Sequence, residues 1–174
     1  MQPNLFENTP VEVENLPQVS TLTGQPLSPT YLKIEYAGSL IFMIFLLIPA
    51  FILPFTDAPS VITGIWLGVW VLLLLTQLLI IPRAFRKKSY SIREKDITYR
   101  SGLIWQQVVS IPFQRIQHCE VNRGPLDQFF GLASLKVYTA GGGSTDLEIP
   151  GLEPERANQI KDFILNQMIN DRDE

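Results

Sequence analysis

The chain has 174 residues, with 14 Lys and Arg against 17 Asp and Glu, a formal charge of −3, and 46% hydrophobic residues. Residues 83–174 carry 13 bases and 12 acids, a balance that excludes an electrostatic nucleic-acid binder. A single cysteine, Cys119, excludes an internal disulfide and a Cys-rich zinc site.

Residues 1–30 read as a disordered, proline-rich tail. Prolines at 3, 10, 17, 26 and 29 interrupt any helix, and no apolar period emerges. Leu5 and Phe6 are the apolar anchor of a short linear motif if the tail holds one.

Residues 31–82 are expected to form a transmembrane helical hairpin. Between Glu35 and Arg83 the one charge is Asp57, which separates uncharged runs at 36–56 and 58–82. At about 1.5 Å per residue each run crosses a hydrocarbon core of roughly 30 Å. The helices are expected over about 36–56 and 60–81, joined by a polar turn at 56–60. Pro54 helps to end the first helix and Pro49 kinks it. Trp66 reads as an interfacial anchor, and Trp70 lies deep enough to pack on the first helix. The spans hold no ionisable group, which argues against a proton relay or ion path. Gln77 can hydrogen-bond another helix.

Arg83, Arg86, Lys87 and Lys88 follow the second run, and the turn has no base. The positive-inside rule therefore places both ends in the cytoplasm. The same cluster attracts anionic lipid. A signal peptide is the rival reading of the first run. It fails because acids, not a basic region, precede the run and a second span follows at once.

After residue 88 the hydrophobic period changes from helical to alternating. Tyr90 and Ile92, then Ile97 and Tyr99, then Val109, Ile111 and Phe113 share parities. A further strand is expected over 116–123, a helical turn over 126–130, and strands around Leu135 to Thr139 and Asp146 to Ile149. Turn signals at 94–96, 101–102, 124–125, 141–143 and 150–151 separate them. From Pro154, Ala157, Ile160, Phe163, Ile164, Gln167 and Met168 fall at helical spacing. The fold class is therefore α+β: the hairpin, then residues 83–174 as an antiparallel sheet or barrel of six or seven strands closed by a C-terminal helix. Phe163, within that helix, is expected to be buried by the period it shares with Ile160 and Gln167.

The segments IPFQRIQ, GPLDQFFGL and VYTAGG, in this order behind a two-helix hairpin, resemble the bacterial membrane-flanked pleckstrin-homology-like domain family, the YdbS-like proteins. The resemblance covers roughly residues 35–165. It implies a pleckstrin-homology-like β-barrel with a C-terminal helix in the bacterial inner membrane. It carries over no catalytic residue and no agreed ligand. One departure is the segment Leu126, Asp127, Gln128, Phe129 and Phe130, which lacks an arginine that similar proteins place there.

Candidate chemistry is sparse. His118 and Cys119 are neighbours on a strand and point to opposite faces, so they do not make a nucleophile pair. The Gly141, Gly142, Gly143, Ser144 run reads as a hairpin turn, because no Gly-Lys-Ser/Thr follows. Arg93, Glu94, Lys95 and Asp96 cancel in sign where an inositol-phosphate site needs bases. Leu103, Ile104 and Trp105 either complete the core or face lipid or a partner. Arg115 and Arg123 are scattered candidates for the same face.

These readings converge on a non-catalytic, membrane-anchored binding or scaffold module without cofactor or metal. Its expected place is the cytoplasmic face of the bacterial inner membrane. Its expected partners are membrane lipids and other membrane proteins or itself, with no nucleic acid and no small-molecule substrate. The alternative is a lipid-headgroup or envelope-stress sensor.

Overall fold

The computed structural model describes residues 24–56, 59–140 and 145–173. Residues 1–23, and with them Leu5 and Phe6, lie outside the described residues, as do Asp57, Ala58 and the glycine run at 141–144.

Two apolar helices stand side by side, α1 (Tyr31–Ile52) and α2 (Ser60–Phe85). A 3₁₀ turn containing Pro54 follows α1, and Pro59 caps the start of α2. Both helices are long and apolar enough to cross a membrane, and α2 buries no residue. Met43 is the one buried residue of α1. Sequence reading separated the roles of Trp66 and Trp70, but both indoles turn toward α1. Trp66 Nε1 donates to the Leu46 carbonyl at 3.0 Å and Trp70 Nε1 to the Met43 carbonyl at 2.9 Å. Ser39 donates its hydroxyl to Gln77 Oε1. Trp66, Trp70 and Gln77 thus fix one face of α2 against α1, as the i, i+4 and i, i+7 spacing of a helix allows.

The strands follow. β1 (Gln25–Pro26), β2 (Ser89–Ile92), β3 (Asp96–Ser101) and β4 (Gln107–Pro112) form one antiparallel sheet in that order. β5 (Ile116–Asn122), β6 (Ala133–Thr139) and β7 (Leu147–Leu152) form a second. Helix α3 (Pro125–Phe130) connects β5 to β6. It ends at Gly131, whose φ of +70° is the left-handed conformation that glycine adopts freely. Asp127 accepts from the Gly124 N–H at 3.0 Å and closes the start of this short helix.

The expected closed barrel is not formed; β4 and β5 do not pair. Pro112 ends β4, where it cannot donate to a ladder, and residues 113–115 turn into the second sheet. Side chains of both sheets still share one core. It includes Tyr90, Ile97 and Ile111 from the first sheet and Cys119, Leu135, Val137 and Ile149 from the second.

The final helix α4 (Pro154–Asp173) covers this core with Ala157, Ile160 and Ile164, all fully or nearly fully buried. Phe163, expected to be buried, is 38% exposed. Ala157, Ile160 and Ile164 define the centre of the helix stripe, and residue 163 lies about 100° from 164 around the axis. Its ring instead meets Phe113 edge-on, with centroids 5.9 Å apart.

The tail boundary also shifts. Residues 25 and 26, read as tail, pair with Tyr90 and Ser89, and Leu27 joins the core at 3% exposure.

Candidate functional site: the hairpin end of the domain

The strand directions fix which end of the domain adjoins the hairpin. β2 leaves α2 at Ser89, and Ser89 pairs with Arg100. β3 therefore runs back toward the hairpin, and Ser101 pairs with Gln107 one step further on. The loop of residues 102–106 consequently lies at the hairpin end of the first sheet. In the second sheet Asn122 pairs with Ser134, and Ala133 pairs with Leu152. Gly151 abuts Tyr31 of α1, so α3 and the end of β7 lie at the hairpin end too.

The junction is built from several contacts. The Ser28 N–H donates to the Gly151 carbonyl at 3.0 Å. Lys88 forms an ion pair with Glu35 across the bases of α1 and α2. The Lys88 ammonium also stands 5.1 Å from the centroid of the Tyr31 ring, within cation–π range. Arg83 donates to the Leu79 carbonyl one turn back on its own helix.

The candidate residues separate accordingly. Arg83, Arg86 and Lys87 are exposed where α2 ends, whereas Lys88 is half-buried in its ion pair. Leu103 is half-buried, but Ile104 and Trp105 are 78% and 88% exposed. The latter two therefore do not complete the core. Arg123 lies at the hairpin end and donates its Nε to the Leu132 carbonyl at 3.1 Å. Arg115 lies at the opposite end of the second sheet, where the Ala140 N–H reaches its carbonyl. The structure thus groups Arg123 with residues 103–105 and sets Arg115 apart.

Sequence reading missed Phe129. It projects from α3 at 82% exposure and meets Phe130 edge-on at 5.1 Å between centroids. The signal available was the Phe-Phe pair itself, since a short amphipathic turn needs only one of the two inward.

Other sequence candidates take defined places. His118 is exposed and Cys119 is buried. Burial pushes the Cys119 thiol pKa up, which keeps the thiol neutral. Arg93 faces Asp96 at 3.6 Å, so the turn between β2 and β3 has an internal charge partner. Asp146 accepts from the backbone and hydroxyl of Thr139, and these bonds hold its carboxyl below the usual range. Among the described residues no group of three or more His, Cys, Asp or Glu could hold a metal ion.

The order and spacing of these elements match a known family. The bacterial PH domain profile matches residues 38–168, three-quarters of the chain. The chain belongs to the bacterial PH domain family. It is 35% identical over 107 residues to the UPF0699 transmembrane protein YdbS of Bacillus subtilis (strain 168). That match covers 61% of this chain and 65% of YdbS. It is 29% identical over 66 residues to the UPF0699 transmembrane protein YdbT of the same organism, covering 37% of this chain and 13% of YdbT. The chain thus spans less than two thirds of either relative. The crystal structure of a DUF1696 family protein with a pleckstrin-homology domain from Shewanella loihica PV-4 aligns with a TM-score of 0.39 and 18% identity. It covers 48% of this chain and 73% of that one. Two exposed helices long and apolar enough to cross a membrane support membrane association of this chain, and YdbS and YdbT are transmembrane proteins.

Proposed function

We propose that the protein is a non-catalytic scaffold of the bacterial inner membrane that assembles with other membrane proteins through its hairpin. In this reading α1 and α2 span the bilayer, and both ends of the described chain lie in the cytoplasm. The observation that carries the reading is the outward face of α2. Trp66, Trp70 and Gln77 hold the opposite face against α1. Gly64 and Gly68 lie two residues from Trp66, about 200° away around the helix. A Cβ at either would meet nothing within 4 Å. Two glycines four apart let a second helix backbone approach closely, which is how helices associate where lipid removes the hydrophobic drive. The bonded junction at Tyr31, Ser28 and Lys88 makes the domain follow whatever the hairpin binds.

The test is extraction of the full chain in native-lipid discs and measurement of particle mass. The wild type is expected as an assembly with a second copy or another membrane protein, and Gly64→Leu with Gly68→Leu as a single chain. A wild type that occurs alone with lipid contradicts the reading. The exposed Arg83, Arg86 and Lys87 favour the second reading, a lipid-headgroup or envelope-stress sensor. Saturable binding to one headgroup that persists in high salt would support it over diffuse attraction, which salt screens.

A further inference from the structure

We infer that the domain rests on the bilayer through two apolar prongs, Ile104 with Trp105 on one sheet and Phe129 on the other. The first prong is the loop between β3 and β4, beyond the level where β2 leaves the hairpin. Gly102 pins this loop. Its φ is +95°, and a Cβ there would stand 1.9 Å from the Trp105 carbonyl oxygen. The tight turn leaves Ile104 and Trp105 projecting, 78% and 88% exposed. The second prong is Phe129, 82% exposed on α3, a helix that packs beside α1. Both prongs flank the base of a membrane hairpin, and no charged residue interrupts 102–106.

The occupant is the lipid surface, because the same end of the chain continues directly into the membrane helices. Only about six residues, from Arg83 to Lys88, separate the apolar span from β2, a reach of at most about 20 Å when extended. Here most of that reach is taken up, since α2 stays helical to Phe85 and Lys88 is tied to Glu35. Tryptophan suits the boundary between headgroups and acyl chains, and phenylalanine and isoleucine supply apolar area that buries into it. Charge is a secondary contribution: Arg86, Lys87 and Arg123 lie at this end, but so do Glu153 and Glu155 where α4 begins. The inference rests on the hairpin crossing the membrane, not on its having a protein partner.

Single nitroxide labels at Ile104→Cys, Phe129→Cys, Leu72→Cys and Glu94→Cys in the full chain test it. The chain is placed in bilayers of phosphatidylethanolamine and phosphatidylglycerol, and collision with oxygen and with an aqueous nickel chelate is measured. Leu72 within α2 is the lipid reference and Glu94, in the turn far from the hairpin, the water reference. Labels at 104 and 129 are expected to collide with oxygen and to lose nickel collision relative to 94. Nickel collision at either site equal to that at 94 overturns the proposal. Low collision with both reagents at either site also overturns it, because that marks burial against protein. A label at 72 that collides with nickel shows instead that the hairpin reading has failed.

Discussion

Tyr31 at the start of α1 packs on Gly151 at the end of the last strand. A Cβ at residue 151 would stand 2.5 Å from the Tyr31 Cγ, and Gly151 has a φ of +68°. Gly151→Ala is therefore expected to destabilise the domain by about 1–2 kcal/mol for the backbone conformation alone, and further through the ring clash. In a double-mutant cycle, Tyr31→Ala should remove the ring part of the clash and leave the contact with its own Cβ, at 2.6 Å, and the backbone part, so the two changes should not add. The check is the urea midpoint of the full chain in micelles, followed by exposure of the buried Cys119 thiol. Additive losses would mean that Tyr31 and Gly151 are not packed together.

Ile164 lies at the centre of the α4 stripe, with 0% exposure, and Phe163 lies at its edge. Ile164→Ala is expected to cost about 2–5 kcal/mol. Phe163→Ala should cost less than Ile164→Ala, because over a third of its surface is already in water. Asp162→Ala, on the exposed side, should stay within about 0.5 kcal/mol. The same urea midpoints order the three variants, and a larger shift for Phe163→Ala than for Ile164→Ala would reverse the assignment.

Tyr99 gives a pH dependence. Burial, with smaller contributions from Glu35 and Glu148, pushes its phenol up to about 12 from the ordinary 10.0. The unfolded chain releases this proton first as pH rises. The contribution to stability is thus fully present below about pH 10 and is lost between 10 and 12. Tyr99→Phe should flatten that decline. Identical slopes for wild type and variant over this window would show that Tyr99 ionises equally well in the folded chain.

Cys119 should resist alkylation in the folded protein. It is 5% exposed, and burial holds the thiol protonated. A maleimide is expected to react with it only after urea unfolding, whereas Glu94→Cys should react at once. Rapid labelling of native Cys119 would contradict the packing of β5 against the core.

What sequence made legible follows the range of each signal. The hairpin was plain because charge vanishes from 36 to 56 and from 58 to 82. The turn after α3 was plain because Gly131 marks a left-handed cap. The α4 stripe was visible, but periodicity alone ranked Phe163 with Ile164; their difference depends on which residues face Phe113 and the sheets. β1 was invisible because two residues, one of them Pro26, carry no period; their pairing with β2 is a contact across more than sixty positions. Barrel closure likewise depends on whether β4 pairs β5, and alternation within each strand is silent on that. Of the candidate site, the basic cluster and the 103–105 loop were read from sequence. Their grouping with Phe129, the diversion of Lys88 into an ion pair, and the separation of Arg115 come from topology.

The most direct test of the account is the sidedness of the hairpin and its domain. Arg83 lies in the last turn of α2, Arg86 and Lys87 follow it, and the described part of the turn before α2 has no base. In intact cells a membrane-impermeant maleimide should label Ser60→Cys at the start of α2 and leave Glu94→Cys unlabelled until the cells are opened. Labelling of Glu94→Cys from outside, with Ser60→Cys protected, would place the domain on the other side of the membrane and contradict the account.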